Sequence, residues 1–129
     1  MMARVFIVAI TSLLLALPAQ AHRFAPSLLK VTEVSAGQYN LVWKTPVQAT
    51  SSIPLRPQWP EACEVTSASP PQVEGTGRVF SWQLACDFGA EGIVGQELGI
   101  SGLAANQASA MVMVSLLDGR DRKSTRLNS

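Results

Sequence analysis

Few side chains in this sequence could carry chemistry: one histidine, His22, two cysteines, Cys63 and Cys86, and four methionines. No nucleophile elbow, glycine-rich phosphate loop or Ser/His/Asp set with supporting spacing accompanies them. We therefore expect the protein not to be an enzyme. What the histidine and the cysteines can do depends on the compartment in which the chain folds, and the amino-terminal segment predicts that compartment.

Residues 1–21 have the three-part layout of a secretory signal peptide. Arg4 gives a positive start, residues 5–17 form an apolar run, and Ala19-Gln20-Ala21 is a small-x-small cleavage site. The run has about 13 residues, whereas a helix that spans a membrane needs about 20. We therefore predict export to the periplasm or another extracytoplasmic space, with cleavage that leaves His22 as the new amino terminus.

Cleavage would place a free α-amine beside the imidazole of His22, and these two nitrogens can chelate one copper or nickel ion. The chain has no second histidine, so Asp, Glu, Met or a partner would have to complete the coordination. The alternative is that cleavage simply leaves a histidine at a frayed chain end. Met111 and Met113 could bind cuprous ion, but their place in the apolar stretch AMVMVSLL favours core packing.

Cys63 and Cys86 are the only cysteines, and in an exported chain two cysteines most simply form one disulfide. Closing a loop of this length would stabilise the fold by about 3.4 kcal/mol in the loop-entropy model. The alternative is a thiol pair that binds metal or performs redox chemistry, but no C-x-x-C spacing supports it.

The charge of the predicted mature region argues against nucleic acid as a partner. Residues 22–120 contain six Lys/Arg and eight Asp/Glu, a net charge of −2 with His22 neutral. Binding to nucleic acid needs many cationic contacts to phosphates. No second apolar stretch in the sequence is long enough to span a bilayer.

Alternation of apolar and polar side chains predicts a series of short strands and no helix. In the clearest strand, Gln38–Lys44, the side chains of Tyr39, Leu41 and Trp43 share one face. Only Ser35-Ala36-Gly37 separates it from the preceding strand, so the two should form an antiparallel hairpin. The predicted strands are 27–34, 38–44, 61–66, 78–86, 97–101 and 110–117.

Proline and glycine mark the connections. Four prolines exclude a helix across residues 45–60. Ile53 and Leu55 are predicted to form a short edge strand there, because sheet edges tolerate proline. Residues 67–77, SASPPQVEGTG, are predicted to form a loop.

Together these strands predict a small antiparallel β-sandwich of immunoglobulin-like architecture, preceded by the cleaved signal peptide. The spacing is not that of an immunoglobulin domain, because Trp43 precedes both cysteines. Trp43 and Trp82 lie in phase with apolar neighbours and should be in the core, whereas Trp59, next to a proline, should be partly exposed.

The last nine residues differ from the rest. Residues 121–129, DRKSTRLNS, are polar and without hydrophobic period, and they resemble the in-frame translation of a sequencing adapter. The domain organisation predicted here is a signal peptide at 1–21, a periplasmic β-sandwich domain at 22–120 that is incomplete at its carboxyl end, and a non-native or disordered tail at 121–129. The alternative for the tail is an ordinary disordered basic end.

Short motifs distributed in order over residues 22–120 resemble those of one known family. They are HRFAPSLL at 22–29, GQY at 37–39, VWKTP at 42–46, Cys63, WQLAC at 82–86, ISGL at 100–103 and DG at 118–119. Together they resemble the amino-terminal extracytoplasmic region of HupE/UreJ-type membrane proteins.

The resemblance implies a soluble domain joined to a bundle of transmembrane helices, in a family whose names associate it with nickel delivery or uptake for hydrogenase and urease. We therefore expect a non-catalytic ectodomain whose partner is the missing transmembrane region of the same protein, located in the inner membrane. One alternative is a stand-alone periplasmic carrier that holds copper or nickel through His22. Another is a structural interaction module without metal.

Overall fold

The computed structural model describes residues 25–119 and, as backbone, residues 121–127. This part of the chain contains eight strands and one turn of 3₁₀ helix at Gly89–Glu91. The strands are β1 (Ser27–Ser35), β2 (Gln38–Pro46), β3 (Arg56–Gln58), β4 (Cys63–Glu74), β5 (Gly77–Cys86), β6 (Gly99–Ser101), β7 (Ser109–Ser115) and β8 (Asp121–Leu127).

The strands form two sheets. Six of them pair in the order β4-β5-β2-β1-β7-β8, and β3 pairs with β6 in a separate two-stranded sheet. All pairs are antiparallel except β1 and β7, which run parallel. The predicted small all-β sandwich is therefore confirmed, with one parallel pair that the sequence did not predict. None of the helical structure in the described residues is long and apolar enough to cross a membrane.

The β1–β2 hairpin carries the centre of the core and confirms the predicted hairpin. Leu29 lies opposite Trp43 and Val31 lies opposite Leu41, and all four side chains are at most 1% exposed. Side chains alternate across a strand, so the residues between them point to the other side of the sheet. Gly37 closes the turn at φ 72°, a conformation that favours glycine.

We call the buried side of the six-stranded sheet the inner face and its other side the outer face. The inner face is covered by the β3–β6 sheet and by the loop of residues 102–108, which add Ile100 and Leu103 to the core. Asn106 fixes this loop: its buried side-chain amide donates to the carbonyl oxygens of Ile53 at 2.7 Å and Gly102 at 2.8 Å. Its backbone carbonyl accepts the Thr50 hydroxyl at 2.7 Å.

The outer face has no covering element among the described residues, and its side chains are half-buried or exposed. They alternate with those of the inner face along each strand and mix apolar, polar and lysine side chains. They include Leu28, Lys30, Val42, Lys44, Val79, Ser81, Met111 and Met113.

The predicted loop at residues 67–77 is wrong over most of its length, because β4 continues to Glu74. Pro70 and Pro71 lie where the β4–β5 register shifts, between Ser69 and Gln72. β4 is the edge strand of its sheet. Proline has no amide hydrogen to donate, and an edge strand tolerates this on the side where no other strand pairs with it. The strand therefore passes through a sequence that looks like a loop.

The predicted edge strand at Ile53 and Leu55 is also misplaced. The strand is Arg56–Gln58, and its central Pro57 lies opposite Ile100. Leu55 instead packs against the core, while Ile53 is 51% exposed.

The backbone of residues 121–127 continues the six-stranded sheet as β8, antiparallel to β7, with Ser115 opposite Asp121. The non-native origin of this tail concerns the nucleotide sequence and stays a prediction.

Candidate functional site

The predicted metal ligand, His22, lies outside the described residues, and its copper or nickel chelate stays a prediction. The described chain starts three residues later, at Ala25. Within residues 25–119 and 121–127, no group of three or more His, Cys, Asp and Glu side chains could hold a metal ion.

The predicted disulfide is present and joins Cys63 to Cys86. The two residues lie directly opposite each other at the start of β4 and the end of β5, with Cα atoms 4.0 Å apart. Backbone hydrogen bonds surround them: the Cys86 amide donates to the Gly37 carbonyl at 2.8 Å, and the Asp87 amide donates to the Ala62 carbonyl at 2.9 Å. The cross-link therefore ties the long edge strand β4 to β5, and the Cys86 amide in turn bonds to the turn of the β1–β2 hairpin.

A groove lies at the end of the outer face, where the described chain enters β1. We call it the amino-terminal groove. Its walls are mainly apolar or backbone, and the segment that follows β2 closes one side. The lining residues are Ala25, Pro26, Leu28, Lys44, Thr45, Pro46, Val47, Gln48, Ala49, Thr50, Val73, Gly75, Thr76 and Gly77.

The groove is shaped by the turn between β4 and β5. Gly75 has φ 58°. Gly75 and Gly77 have no side chains of their own that could fill the groove. The aliphatic part of Lys44 lies over Gly77, because a Cβ there would come within 2.8 Å of the Lys44 Cε. The Lys44 ammonium then reaches the Glu74 carboxylate at 3.5 Å, an exposed and weak ion pair.

Three aromatic rings line the inner face toward the β4 edge. Phe80 and Trp82 are stacked with centroids 5.7 Å apart, and Trp59 is tilted against Trp82 at 5.6 Å. All three are partly buried and pack against the core. Trp43 is confirmed as a core residue at 1% exposure, and Trp59 is partly exposed as predicted.

The prediction that Met111 and Met113 pack in the core is wrong. Their neighbours Ala110, Val112 and Val114 face the core, so strand alternation turns the two methionines to the outer face. There Met111 lies opposite Leu28 and Met113 lies opposite Lys30. An ammonium group on the adjacent strand disfavours a cation at Met113.

Tyr39 is the only tyrosine of the chain, and its ring is 1% exposed beneath Phe88, with centroids 6.0 Å apart. Burial raises the pKa of Tyr39 above its ordinary 10.0, the Glu33 carboxylate raises it further, and the Ile93 backbone partly offsets both. By geometric criteria, the Tyr39 hydroxyl has no hydrogen-bond partner in the described part of the chain. Tyr39 is therefore a neutral core residue, not an acid–base group.

Comparison with known proteins adds no relative. No family model, no curated protein and no solved structure matches this chain.

The amino-terminal groove is the feature that sequence reasoning missed. The signal available was the joint occurrence of Pro26, Pro46 and the two glycines Gly75 and Gly77. Its meaning depends on the β1–β2–β5 register, which brings Pro46 opposite Gly77. Such a register is not visible in any one of the three segments.

Proposed function

We propose that this chain is a non-catalytic extracytoplasmic domain of a HupE/UreJ-like membrane protein. The observation that carries the proposal is the Cys63–Cys86 disulfide in a small β-sandwich. Structural disulfides form and persist in oxidising compartments and are rare in the cytosol. The disulfide supports an oxidising compartment and agrees with the secretory leader predicted at residues 1–21, and the compartment that we propose is the periplasm.

The family resemblance supplies the context of the proposal. It gives a metal-handling membrane unit, associated with nickel uptake or with hydrogenase and urease accessory roles, as the machinery that the domain docks on, gates or supplies. The partner would be the transmembrane region of the same protein, in the inner membrane. The uncovered outer face leaves one side of the sheet free for such a contact.

The nucleotide sequence beyond the codon for Arg120 tests this proposal. We expect an open frame that encodes apolar stretches of about 20 residues each, the length of membrane-spanning helices. A natural stop codon directly after residues 121–129 would contradict the membrane-protein assignment.

The second candidate is a periplasmic carrier that holds copper or nickel through His22. The observation in its favour is that Ala25, three residues after His22, lines the same groove as Val73 and Gly75. Glu74 lies between those two residues, and its carboxylate would have to leave the Lys44 ammonium, 3.5 Å away, to join the chelate.

Calorimetric titration of copper and nickel into the exported, cleaved chain separates this candidate from a purely structural module. A carrier should bind one ion, and His22→Ala should weaken binding at least about tenfold, because the imidazole of the chelate is lost. Equal binding by the wild-type chain and His22→Ala would remove His22 from the site, and no binding by either would favour the module without metal.

A further inference from the structure

The inner face ends in a polar row of side chains. Its central rows are apolar, but the last row consists of Ser27 on β1, Thr45 on β2 and Arg78 on β5. Thr45 lies opposite Arg78 in the β2–β5 pair, and the Ser27 hydroxyl donates to Thr45 Oγ1 at 3.1 Å. Ser27 is 1% exposed. A buried hydroxyl pair at the end of an apolar face indicates a polar requirement at that place.

A cavity of about 170 Å³ lies over this row. Phe80 and Leu55 contribute apolar wall, and the segment that follows β2 also lines it. Two hydrogen bonds of 2.7 Å fix that segment: the Thr50 hydroxyl donates to the Asn106 carbonyl, and the Asn106 amide donates to the Ile53 carbonyl. Ile53, a lining residue that is 51% exposed, shows that the cavity opens to solvent. The fold therefore forms the cavity without a ligand.

The hydroxyl pair has a hydrogen-bond donor to spare. Each hydroxyl carries one hydrogen, and the bond between Ser27 and Thr45 uses only one of the two, whichever residue donates. Among the described residues, no acceptor takes the other hydrogen. An acceptor atom placed in the cavity beside the pair would take it.

Arg78 is the one charged residue among the described residues that line the cavity. Its guanidinium has no carboxylate partner in the described part of the chain. Residues directly opposite on antiparallel strands have Cβ atoms about 4.5–5.5 Å apart, so Arg78 and Thr45 can contact one ligand. A guanidinium presents two parallel N–H donors that match the two oxygens of a carboxylate.

We propose that this cavity binds a small organic carboxylate. The carboxylate lies on the Arg78 guanidinium and on the spare hydroxyl of the Ser27–Thr45 pair, and the apolar body of the ligand packs against Phe80 and Leu55. The volume sets the size of the ligand, because an apolar cavity of about 150 Å³ holds one benzene molecule. The inference goes beyond the proposed function and does not depend on export, since every residue that it uses lies between positions 27 and 80.

Titration with sodium benzoate, followed by two-dimensional NMR of the backbone amides of the full chain, tests the site. We expect the Thr45 and Phe80 signals to shift in a saturable way, with a dissociation constant of about 1–10 mM for a ligand of this size. Benzamide has the same shape without the charge and should bind at least about tenfold more weakly. Inorganic phosphate has charge without an apolar body and should also bind at least about tenfold more weakly.

Two arginines provide a matched pair of variants. Arg78 and Arg56 are both exposed, but only Arg78 lines the cavity. Arg78→Gln should weaken benzoate binding at least about tenfold, because a hydrogen bond to a charged group is lost. Arg56→Gln should leave the affinity unchanged. Both substitutions are on the surface, so both variants should fold.

Benzoate shifts that do not saturate, or equal affinities of Arg78→Gln and Arg56→Gln for benzoate, would overturn the site. Equal affinity for benzoate and benzamide would show that the carboxylate is not recognised, and equal affinity for benzoate and phosphate would show that the apolar body is not. Either result contradicts the proposed ligand class. These outcomes leave the proposed function untouched, because the nucleotide sequence beyond the codon for Arg120 tests that function separately.

Discussion

The two faces of the six-stranded sheet are built from the same strands and have opposite characters. On β2, Trp43 is 1% exposed on the inner face, while its neighbour Val42 is 38% exposed on the outer face. On β7, Ala110 is fully buried, whereas Met111 is only half-buried. Apolar composition alone therefore does not decide which side of this sheet is the core.

The difference arises from what covers each face. The short strands β3 and β6 and the loop pinned by Asn106 exclude water from the inner face. No described element does so on the outer face. The inner face should thus account for stability, and the outer face should tolerate substitution. Four predictions test this contrast, from the largest expected effect to the smallest.

The largest effect is expected from Trp43→Ala, compared with Val42→Ala on the adjacent position. Removing a buried tryptophan loses apolar burial and leaves a cavity, and should lower the free energy of unfolding by about 3–5 kcal/mol. Val42→Ala should change it by no more than about 0.5 kcal/mol. Urea denaturation measures both, and similar losses for the two variants would contradict the assignment of the faces.

The next effect concerns the disulfide. Replacing both Cys63 and Cys86 with alanine should lower the free energy of unfolding by about 3.4 kcal/mol in the loop-entropy model, because the unfolded chain is no longer cross-linked. The same denaturation experiment on the reduced wild-type chain is the control and should give a similar loss. A fully stable double variant would show that the β4 edge does not depend on the bond.

A smaller loss is expected from Asn106→Ala, which removes the buried amide that holds the covering loop. The Ile53 carbonyl would lose the side-chain amide donor, and the Gly102 carbonyl would keep only the Asn106 backbone amide at 3.1 Å, at a cost of about 1–3 kcal/mol. The control is Gln107→Gly, because Gln107 is exposed with φ 48°, a conformation that glycine adopts more readily. The free energy of unfolding of Gln107→Gly should not fall. A loss equal to that of Asn106→Ala would contradict the stabilising role of the Asn106 amide.

The smallest effect on stability is expected only at alkaline pH and comes from Tyr39. Its folded-state pKa is raised above the unfolded 10.0, so its contribution is fully present below pH 10. It is lost as pH rises through the folded pKa, because deprotonation favours the unfolded chain.

Ultraviolet absorbance of tyrosinate measures this pKa directly, since the chain has no other tyrosine. We expect an ordinary pKa in concentrated urea and a higher one in the folded protein. Tyr39→Phe should weaken the decline of stability above pH 10. Identical titration curves with and without urea would show that Tyr39 is not buried.

The sequence was sufficient to predict a strand and its buried side where one face of the strand is buried and the other is exposed. The hairpin of β1 and β2 was predicted because Tyr39, Leu41 and Trp43 share one face, with Val42 the one apolar residue between them, and because the turn before them is short. It was insufficient for β7, since AMVMVSLL is apolar on both faces and only the fold shows that the methionines face outward. It also misjudged β4, because Pro70 and Pro71 are compatible with a strand only at the edge of a sheet.

Of the candidate site, the disulfide could be predicted because only two cysteines exist. The amino-terminal groove could not, because it depends on the pairing of residues from β1, β2 and the β4–β5 turn, which are far apart in sequence. The role of His22 rests on the cleavage site alone and remains a prediction of the sequence.

The most direct test of the account is the intact mass of the protein recovered from the cells in which it is made. The account predicts a chain that begins at His22, without residues 1–21, and lacks two hydrogens because Cys63 and Cys86 are joined. A chain recovered from the cytosol with Met1 in place and two free thiols would contradict it.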